Sequence, residues 1–369
     1  MKGFQEIAAA VGAVAEPSAL ATLVRVKGSS YRQPGARMLF GPSGDRTGLI
    51  SAGCLETDIL ARLQAVLAGQ AAQLAAYDLG SDLDLVWGTG MGCQGKADVL
   101  LERVAPGGAP DWMRQCAGML AQRRSGALAT VFAVRGEGCG LRPGDHFFCD
   151  EAGAGTLPGP GPFAAGVAAA LRQALGARAC ATPTLRAAEG ELDLLVEPLL
   201  PPFALWIFGA GEHSRPLARL ASALGWFVGI VDHRPALATA ERFPEADRIV
   251  LGHPPASLQG LPLDRRSAAL VVSHIYEKDR QALECLLAAP VAYLGLQGNR
   301  LRSRKLLKEL EEDHPLSAAQ LQTLHFPAGL DIGAETPEGI ALSMLAEVHA
   351  ALTGHPGGPL RDRGGAIHG

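Results

Sequence analysis

The sequence predicts an α/β protein with a duplicated α/β N-terminal domain and a C-terminal Rossmann-like domain built on a doubly wound parallel sheet. Three observations lead to this prediction. An internal repeat covers roughly the first 200 residues, a Pro201-Pro202 pair marks a change in character, and a glycine-rich turn follows an apolar strand soon after that pair. The chain has 369 residues, of which 48% are hydrophobic, so each domain can bury its own core.

Three segments of the first copy recur in the second at fixed offsets of 108, 108 and 95 residues. The matching pairs are ALATLVRVKG (19–28) with ALATVFAVRG (127–136), LETDILARLQAVLAG (55–69) with FAAGVAAALRQALGA (163–177), and ADVLLERVAP (97–106) with LDLLVEPLLP (192–201). Residues 1–202 therefore contain two divergent repeats, about 1–106 and 107–202, each a strand, turn, helix and strand. We expect the two copies to pack as pseudo-twofold halves of one mixed sheet.

The features that only the first copy keeps are candidates for function. Cys54 lies in SAGCLE and Cys93 in GMGCQGK, whereas the second copy has Pro162 where the first has Cys54. The alternative is that the second copy has drifted and that both cysteines are small buried hydrophobes.

A helix is predicted to begin just after Cys54, because apolar residues recur at helical spacing from Leu55 to Leu67. The N-terminal end of a helix favours an anion and lowers the pKa of a thiol, whereas the neighbouring Glu56 opposes a second negative charge. The position suits an anionic or electron-rich ligand, with Arg37 as a candidate counter-charge.

Composition excludes several classes of protein. The formal net charge is −4 with no dense basic run, which disfavours nucleic-acid binding. The seven cysteines form no C-x-x-C pair, so we expect neither a disulfide framework nor a zinc site but a reducing, cytoplasmic location. The Ala-rich N-terminus predicts a first helix and not a signal peptide, and no uncharged apolar run is long enough to predict a membrane span.

The second half opens with the pattern of a dinucleotide-binding domain. GAGEHS (209–214) follows the apolar strand LWIF, with Gly209 and Gly211 at the first two glycine positions and Ser214 at the third. Asp232 ends the next strand at the distance where such domains bind a ribose. Arg234 follows Asp232 closely in the sequence, so the pattern leaves open that the ligand carries a 2′-phosphate or is another phosphorylated compound.

Three further strands, at 247–251, 269–274 and 291–298, alternate with helices and complete the parallel sheet. Ser273 and His274 would lie at the carboxyl end of one of them, where such sheets bind ligands. This domain is predicted to span 203–354, with a disordered tail at 355–369.

The segment before the last helix carries two more acidic candidates, Asp331 and Glu335. Thr336 is predicted as the N-cap of that helix, Pro337 as its first residue, and Gly354 as the residue beyond its end.

Taken together, these motifs resemble the XdhC/CoxI family of xanthine dehydrogenase accessory proteins. The resemblance rests on the 19–56 segment, GMGCQGK, GAGEHS with VDHRP and ERFPEADRIV, VVSHIYEKD, and AGLDIGAETPEGIALSMLAE. The family usually has two glycines before the first cysteine and C-G-G at the second. Here Ala52 and Gln94 replace two of those glycines, while both cysteines remain.

The resemblance implies a protein that binds molybdenum cofactor (molybdopterin) and assists its sulfuration and insertion into a xanthine dehydrogenase-type molybdoenzyme. Its implied partners are that molybdoenzyme and a cysteine desulfurase. The sequence leaves open whether the chain forms a homodimer. Cys54 and Cys93 would contact the metal centre. The cofactor-binding candidates are Cys54, Glu56, Cys93, Arg37, Gly209, Gly211, Ser214, Asp232, Ser273, His274, Asp331 and Glu335.

Two other functions are compatible with parts of the pattern. The glycine turn with Asp232 would by itself suit an NAD(P)-dependent oxidoreductase, although His274 is the one evident proton-transfer group. A redox thiol protein would need Cys54 and Cys93 to meet in space. A carrier without turnover of its own is the interpretation that accounts for both domains.

Overall fold

The computed structural model describes residues 2–28, 32–51, 53, 55–69, 71–78, 95–136, 139–313 and 315–364. It consists of two compact units, Met1–Pro201 (unit 1) and Pro202–Gly369 (unit 2). The division falls at the proline pair that the sequence marks as a linker. Among the described residues, no helix combines the length and the apolar character needed to cross a bilayer.

The two copies in unit 1 have the same order of elements. The first contains α1 (Lys2–Gly12), β1 (Ser18–Gly28), β2 (Arg37–Phe40), β3 (Arg46–Gly48), α2 (Glu56–Ala68), β4 (Gln73–Asp78) and β5 (Gly95–Val104). The second contains α3 (Asp111–Ala121), β6 (Gly126–Arg135), β7 (His146–Asp150), β8 (Gly155–Thr156), α4 (Ala164–Ala177), β9 (Thr184–Ala187) and β10 (Gly190–Leu199). The three repeated segments of the sequence thus occupy equivalent elements.

Each copy forms its own five-stranded sheet, in the orders β3-β2-β1-β5-β4 and β8-β7-β6-β10-β9. Every strand pair in both sheets is antiparallel. The expectation of one mixed sheet is therefore wrong. The sequence repeat is compatible with either arrangement, because it does not specify which strand edges pair.

The two sheets meet through a bulge that both copies share. In the pairing of β1 with β5, Val24 has no partner residue on the opposite strand. The equivalent residue of the second copy, Phe132, likewise has none in the pairing of β6 with β10. Val24 and Phe132 are buried in one apolar cluster with Leu100 and Leu195, which are themselves equivalent positions of β5 and β10. An extra residue in a strand turns its side chain away from the regular pleat. In unit 1, the side chain of the extra residue in each copy contacts the other copy.

The two copies also exchange buried hydrogen bonds. Arg37 and His146 are equivalent residues, since each pairs in its sheet with a threonine, Thr22 or Thr130. Arg37 donates from Nη1 and Nη2 to Glu197 of the second copy at 2.8 and 2.7 Å. In the reverse direction, His146 Nε2 lies 2.7 Å from Oε1 of the first-copy residue Glu102.

Aromatic rings cover both of these nitrogen side chains at equivalent positions. The Arg37 guanidinium lies over the Phe4 ring at 5.3 Å, and Trp112 stacks on His146 at 3.9 Å. Burial acts to lower the pKa of Arg37, but the charge of Glu197 and their hydrogen bonds outweigh it and raise the pKa above its ordinary value. Arg37 is therefore a charged partner of Glu197. The guanidinium of Arg37 is buried and paired with Glu197, so Arg37 is not the accessible counter-charge for a cofactor that the sequence predicts.

Unit 2 is a six-stranded parallel sheet in the order β13-β12-β11-β14-β15-β16. Its elements are β11 (Ala204–Phe208), α5 (Ser214–Ala223), β12 (Phe227–Asp232), β13 (Arg248–Leu251), β14 (Ser267–Val271), α6 (Tyr276–Leu286), β15 (Tyr293–Leu296), α7 (Arg300–Asp313), α8 (Ala318–Thr323), β16 (Leu324–His325) and α9 (Pro337–Thr353). Helices α5 and α9 pack on one face, and α6 and α7 pack on the other. This is the doubly wound Rossmann-like sheet predicted from the sequence.

The predicted ends of α9 are confirmed. Thr336 Oγ1 accepts a hydrogen bond from the Gly339 N–H, Pro337 begins the helix, and Gly354 ends it in the left-handed conformation. The composition of the tail predicts disorder from residue 355. Its described part includes a helical turn at Leu360–Asp362, and Leu360 and Gly357 line an apolar groove beside α9.

The exchanged ion pair makes a direct prediction for stability. We expect Arg37→Met to lower the free energy of unfolding of unit 1 by about 3–5 kcal/mol, because it leaves Glu197 as an unpaired buried charge. Arg62→Met is the matched control, since Arg62 pairs with Asp58 on the exposed face of α2 and surface pairs are worth about 1 kcal/mol or less. Urea unfolding of the full chain measures both. Equal losses in the two variants would show that the buried pair has no special role.

Candidate functional site

The strongest candidate site is the edge of the unit 2 sheet where its parallel strands end. Ligands of doubly wound sheets bind at this edge, where the strand order reverses between β11 and β14. A crevice lies there, lined by residues that follow or end the strands. They include Gly209, Asp232, His233, Gly252, Ser273 and Lys278.

Gly209 and Ser214 shape the glycine turn from within. Gly209 has φ +126°, and a Cβ there would lie 2.8 Å from the backbone of Ser273. Ser214 is fully buried at the start of α5, and its hydroxyl donates to the Gly209 carbonyl at 2.5 Å. Both residues therefore fix the path of the backbone, and Ser214 does not line the crevice.

Gly211 has a different environment. A Cβ at this position would meet no atom within 4 Å. The backbone N–H groups of Gly211, Glu212 and His213 donate to no other described residue, and α5 begins directly after them. Unpaired N–H groups at the start of a helix attract an anion. The side chain of Glu212 opposes this, but Arg242 and Arg215 already pair with its carboxylate.

Asp232 is the predicted ribose-binding residue, yet its carboxylate is already engaged. It accepts hydrogen bonds from the Ala210 N–H at 2.6 Å, the Arg234 N–H at 2.8 Å, and Nε and Nη2 of Arg234 at 2.9 and 2.7 Å. Burial acts to raise the pKa of Asp232, but these donors outweigh it and lower the pKa below its ordinary value. Asp232 is thus an ionised acceptor that joins the glycine turn to Arg234.

Ser273 is held by a buried ion pair. Its hydroxyl donates to Asp279 Oδ1 at 2.6 Å, and Arg302 Nη2 donates to Asp279 Oδ2 at 2.5 Å. Asp279 is fully buried in the first turn of α6. The hydroxyl of Ser273 is therefore fixed in direction at the wall of the crevice.

His274 has a left-handed backbone, with φ +61°, and its ring lies 5.4 Å from that of His213 in a T-shaped arrangement. Burial of the ring and the neighbouring His213 lower the pKa of His274, although Asp279 acts in the opposite direction. His233, which lines the crevice, stacks on His253 at 4.5 Å. Sequence reasoning singled out none of these other three histidines, although each lies in the glycine turn or directly after a strand.

The structure brings Gly209, Asp232 and Ser273 to one crevice but does not place Asp331 and Glu335 on its wall. Both acids are exposed in the segment before α9, and neither forms a hydrogen bond or ion pair with another described residue. That segment is anchored by a residue the sequence analysis did not single out, Glu347.

Glu347 lies in α9 and accepts hydrogen bonds from the hydroxyl of Tyr293 at 2.6 Å and the Gly329 N–H at 2.7 Å, while His325 Nδ1 lies 3.1 Å away. Burial acts to raise the pKa of Glu347, but these partners outweigh it and lower the pKa to about 2. Glu347 therefore fixes the start of the loop that carries Asp331 and Glu335.

In unit 1, Glu56 frames the turn that precedes α2. Its buried carboxylate accepts the Ser51 N–H at 3.0 Å and the Ser51 hydroxyl, and Ser51 Oγ accepts the N–H groups of Gly53 and Leu55 at 3.2 and 3.1 Å. Gly53 has φ +113°. Glu56 thus shapes the turn and does not present its carboxylate to solvent. The equivalent positions of the second copy are Gly159 and Ala164, which cannot form this frame.

Cys54 and Cys93, the predicted metal contacts, lie outside the described residues, so their contact with a metal centre stays a prediction. The described residues contain no cluster of three or more His, Cys, Asp or Glu side chains arranged to hold a metal ion. The described cysteines are free, and several are poor thiolates. Burial raises the pKa of Cys116 to about 12, and it also raises the pKa values of Cys149 and Cys285.

Comparisons with known proteins cover both units. The family model described as "XdhC and CoxI family" matches residues 13–78, and the model described as "XdhC Rossmann domain" matches residues 205–348. A Bacillus subtilis (strain 168) protein, named as a probable subunit of xanthine dehydrogenase, is 34% identical over 339 residues, which cover 90% of this chain and 92% of that protein.

Two further comparisons also found similar proteins. The Escherichia coli (strain K12) protein YqeB, described as uncharacterized, is 32% identical over 155 residues, or 42% of this chain and 28% of that protein. A solved structure from Bacillus halodurans, described as a xanthine dehydrogenase, is 27% identical with a TM-score of 0.75 and covers 98% of both chains.

The two glycines of the turn should respond differently to a methyl group. We expect Gly209→Ala to lower the free energy of unfolding of unit 2 by about 2 kcal/mol or more, because its backbone is left-handed and the new Cβ would press on Ser273. Gly211→Ala should change it by less than about 0.5 kcal/mol, since the Cβ enters open space. Thermal and urea unfolding of the two variants measure this. A destabilised Gly211→Ala would mean that this glycine is architectural too.

Proposed function

The chain belongs to the XdhC and CoxI family, and from this premise we propose that it is an accessory protein of a xanthine dehydrogenase-type molybdenum hydroxylase. In this proposal it binds molybdenum cofactor, assists its sulfuration, and delivers it to the client enzyme. The names of the relatives in B. subtilis and B. halodurans support the choice of client. A cysteine desulfurase would be the source of sulfur.

The observation that carries the proposal is the frame around the turn before α2. Ser51, Gly53 and Glu56 hold this turn with a left-handed glycine, four hydrogen bonds and a buried carboxylate. A structure that only completed a core would not need this arrangement, and the second copy does without it. In the sequence, Cys54 lies between Gly53 and Leu55 of this frame, and its thiol is a soft donor suited to a metal held by sulfur ligands. When bound, the cofactor would supply the molybdenum centre that the client uses.

The phosphate of the pterin fits a second place in the chain. The glycine turn of unit 2 offers three unpaired N–H groups beside open space at Gly211, with Arg234 close by. A phosphate ester at this turn would gain charge-assisted hydrogen bonds without displacing a protein group. The donors present therefore suit a phosphorylated ligand.

The rival function, an NAD(P)-dependent oxidoreductase, has less support. With NAD as the cofactor it would need Asp232 to accept a hydrogen bond from the ribose, and that carboxylate already accepts four from the protein. It would also need a group for proton transfer. The sequence offers His274 for this role, but His274 is not among the residues that line the crevice.

The proposal predicts the phenotype of a gene deletion in a host with a xanthine-oxidising molybdoenzyme. We expect folded client enzyme with little activity and little sulfurated cofactor, restored by the wild-type chain and not by Cys54→Ser. Cys285→Ser is the matched control, because this half-buried thiol lies in α6 of unit 2 and belongs to neither of the predicted cysteine turns. It should restore activity fully.

Client activity, molybdenum content and cyanolysable sulfur are measured on purified client. Full activity in the deletion strain would contradict the proposal. So would hydride transfer to NAD by the isolated chain at about 1 s⁻¹ or faster.

A further inference from the structure

Two buried hydrogen-bond donors near the start of α7 have no partner among the described residues. Ser303 is 0% exposed, yet its hydroxyl forms no hydrogen bond. Nη1 of Arg302 is buried and unpartnered as well, whereas Nη2 of the same guanidinium donates to Asp279. A buried donor without an acceptor lowers stability, and a charged donor does so more strongly. An acceptor from outside the chain would satisfy both groups.

The two donors face the same point beside Gly298. A Cβ placed on Gly298 would lie 3.3 Å from Arg302 Nη1 and 3.6 Å from Ser303 Oγ. Apart from Gly298 and its neighbours in the chain, no other described atom lies within 4 Å of that point. Side chains of a helix lean towards its N-terminus, so residues 302 and 303 reach back to the segment that precedes α7. Gly298 therefore leaves an open position between a guanidinium and a hydroxyl.

The first turn of α7 adds backbone donors. Asn299 Oδ1 accepts the N–H of Arg302 at 2.8 Å and caps the turn, while the N–H groups of Arg300 and Leu301 donate to no other described residue. The helix has 14 residues, and the N-terminal end of a helix carries a partial positive charge. A ligand beside Gly298 would lie at this end of α7.

The charges of α7 run against the usual preference of a helix. Its first two turns, RLRSRKLL (300–307), contain four basic residues and no acidic one, and the acidic residues begin at Glu309. Basic side chains are unfavourable at the N-terminal end of a helix, where acidic ones stabilise it. Such conflicts between local preference and structure are expected at functional sites. A bound anion would offset the conflict here.

The acid nearest to Arg302 orients the guanidinium. Asp279 is fully buried and accepts from Ser273 Oγ at 2.6 Å and from Arg302 Nη2 at 2.5 Å. The guanidinium also lies over the ring of Tyr276 at 5.6 Å. Its position is thus fixed from two sides, and Nη1 is left for a ligand.

This place is separate from the crevice described above. Ser273 and Asp279 line the crevice, whereas Gly298, Arg302 and Ser303 do not. The glycine turn with Asp232 and Arg234 takes no part in it.

We propose that Gly298, Arg302 and Ser303 form a site for phosphate, taken either as the free ion or as a monoester. A phosphate carries several acceptor oxygens on one centre, so it can accept from the guanidinium, the hydroxyl and the backbone N–H groups together. Asp279 is a positioning residue for Arg302. The proposal does not rest on the pterin cofactor or on a client enzyme.

The test is calorimetric titration of the full chain at constant ionic strength with inorganic phosphate, glycerol 3-phosphate and acetate. We expect phosphate to bind at least about 10-fold more tightly than acetate, which has less charge and fewer acceptor oxygens. Binding of glycerol 3-phosphate as tight as that of phosphate would assign the site to monoesters, and weaker binding would assign it to the free ion.

Two substitutions locate the site. Ser303→Ala should weaken phosphate binding at least about 10-fold, because a hydrogen bond to a charged acceptor is lost. Gly298→Ala should weaken it at least as much, since its methyl group takes the open position beside Arg302 Nη1. Arg302 itself is left unchanged, because its loss would leave Asp279 buried without a cation.

Two matched controls accompany them. Arg304→Gln removes an exposed arginine of the same helix that pairs with no described residue, and it should change the affinity by less than about 3-fold, because exposed charges are screened. Ser257→Ala removes another buried, unpartnered hydroxyl of unit 2 and should have no effect. Melting temperatures check that all variants are folded.

The proposal is wrong if Ser303→Ala and Gly298→Ala leave phosphate binding unchanged, because the ion then lies elsewhere, as at the glycine turn. It is also wrong if Arg304→Gln weakens binding as much as Ser303→Ala, or if acetate binds as tightly as phosphate. Absence of phosphate binding to the wild-type chain up to about 10 mM would likewise overturn it. None of these results bears on the accessory role, which depends on the client assay.

Discussion

Glu197 and Glu102, one from each copy in unit 1, are each hydrogen-bonded inside the protein by a side chain of the other copy. Separating the copies would break the hydrogen bonds of Arg37 with Glu197 and of His146 with Glu102, and it would also expose the cluster around Val24 and Phe132. Each copy is therefore stabilised by the other. The second copy lacks the framed turn but supplies Glu197, the buried partner of Arg37 in the first copy.

Buried carboxylates also hold neighbouring groups in place at the crevice of unit 2. The carboxylate of Asp232 is used to fix the glycine turn through Ala210 and to aim Arg234, and Asp279 likewise fixes Ser273 through its hydroxyl. Buried acids in both units are thus structural, and at the edge of the unit 2 sheet the backbone N–H groups of residues 211–213 donate to no other described residue. A site made of donors suits anionic ligands, which is consistent with a phosphorylated cofactor and inconsistent with a crevice that reads ribose hydroxyls.

The sequence predicts the features that are set by local pattern. The offsets of 108 and 95 residues locate equivalent strands and helices, and Thr336, Pro337 and Gly354 define the ends of α9. The local sequence pattern does not predict contacts between residues that are far apart in the chain. Arg37 and Glu197 are 160 positions apart, so the local pattern assigns Arg37 to a cofactor. The arrangement of two antiparallel sheets is missed because a repeat does not specify strand edges. The engagement of Asp232 depends on the rotamer of Arg234, which no motif encodes.

Native mass spectrometry of the chain purified from a molybdate-fed host that makes molybdenum cofactor would test the central claim most directly. The claim is that this chain is a carrier of a phosphorylated pterin with its metal. The account predicts a species heavier than the chain by the mass of the cofactor, which disappears on mild oxidation that releases a fluorescent pterin. A chain that carries no ligand under these conditions, or one whose added mass is that of a nicotinamide nucleotide, would contradict it.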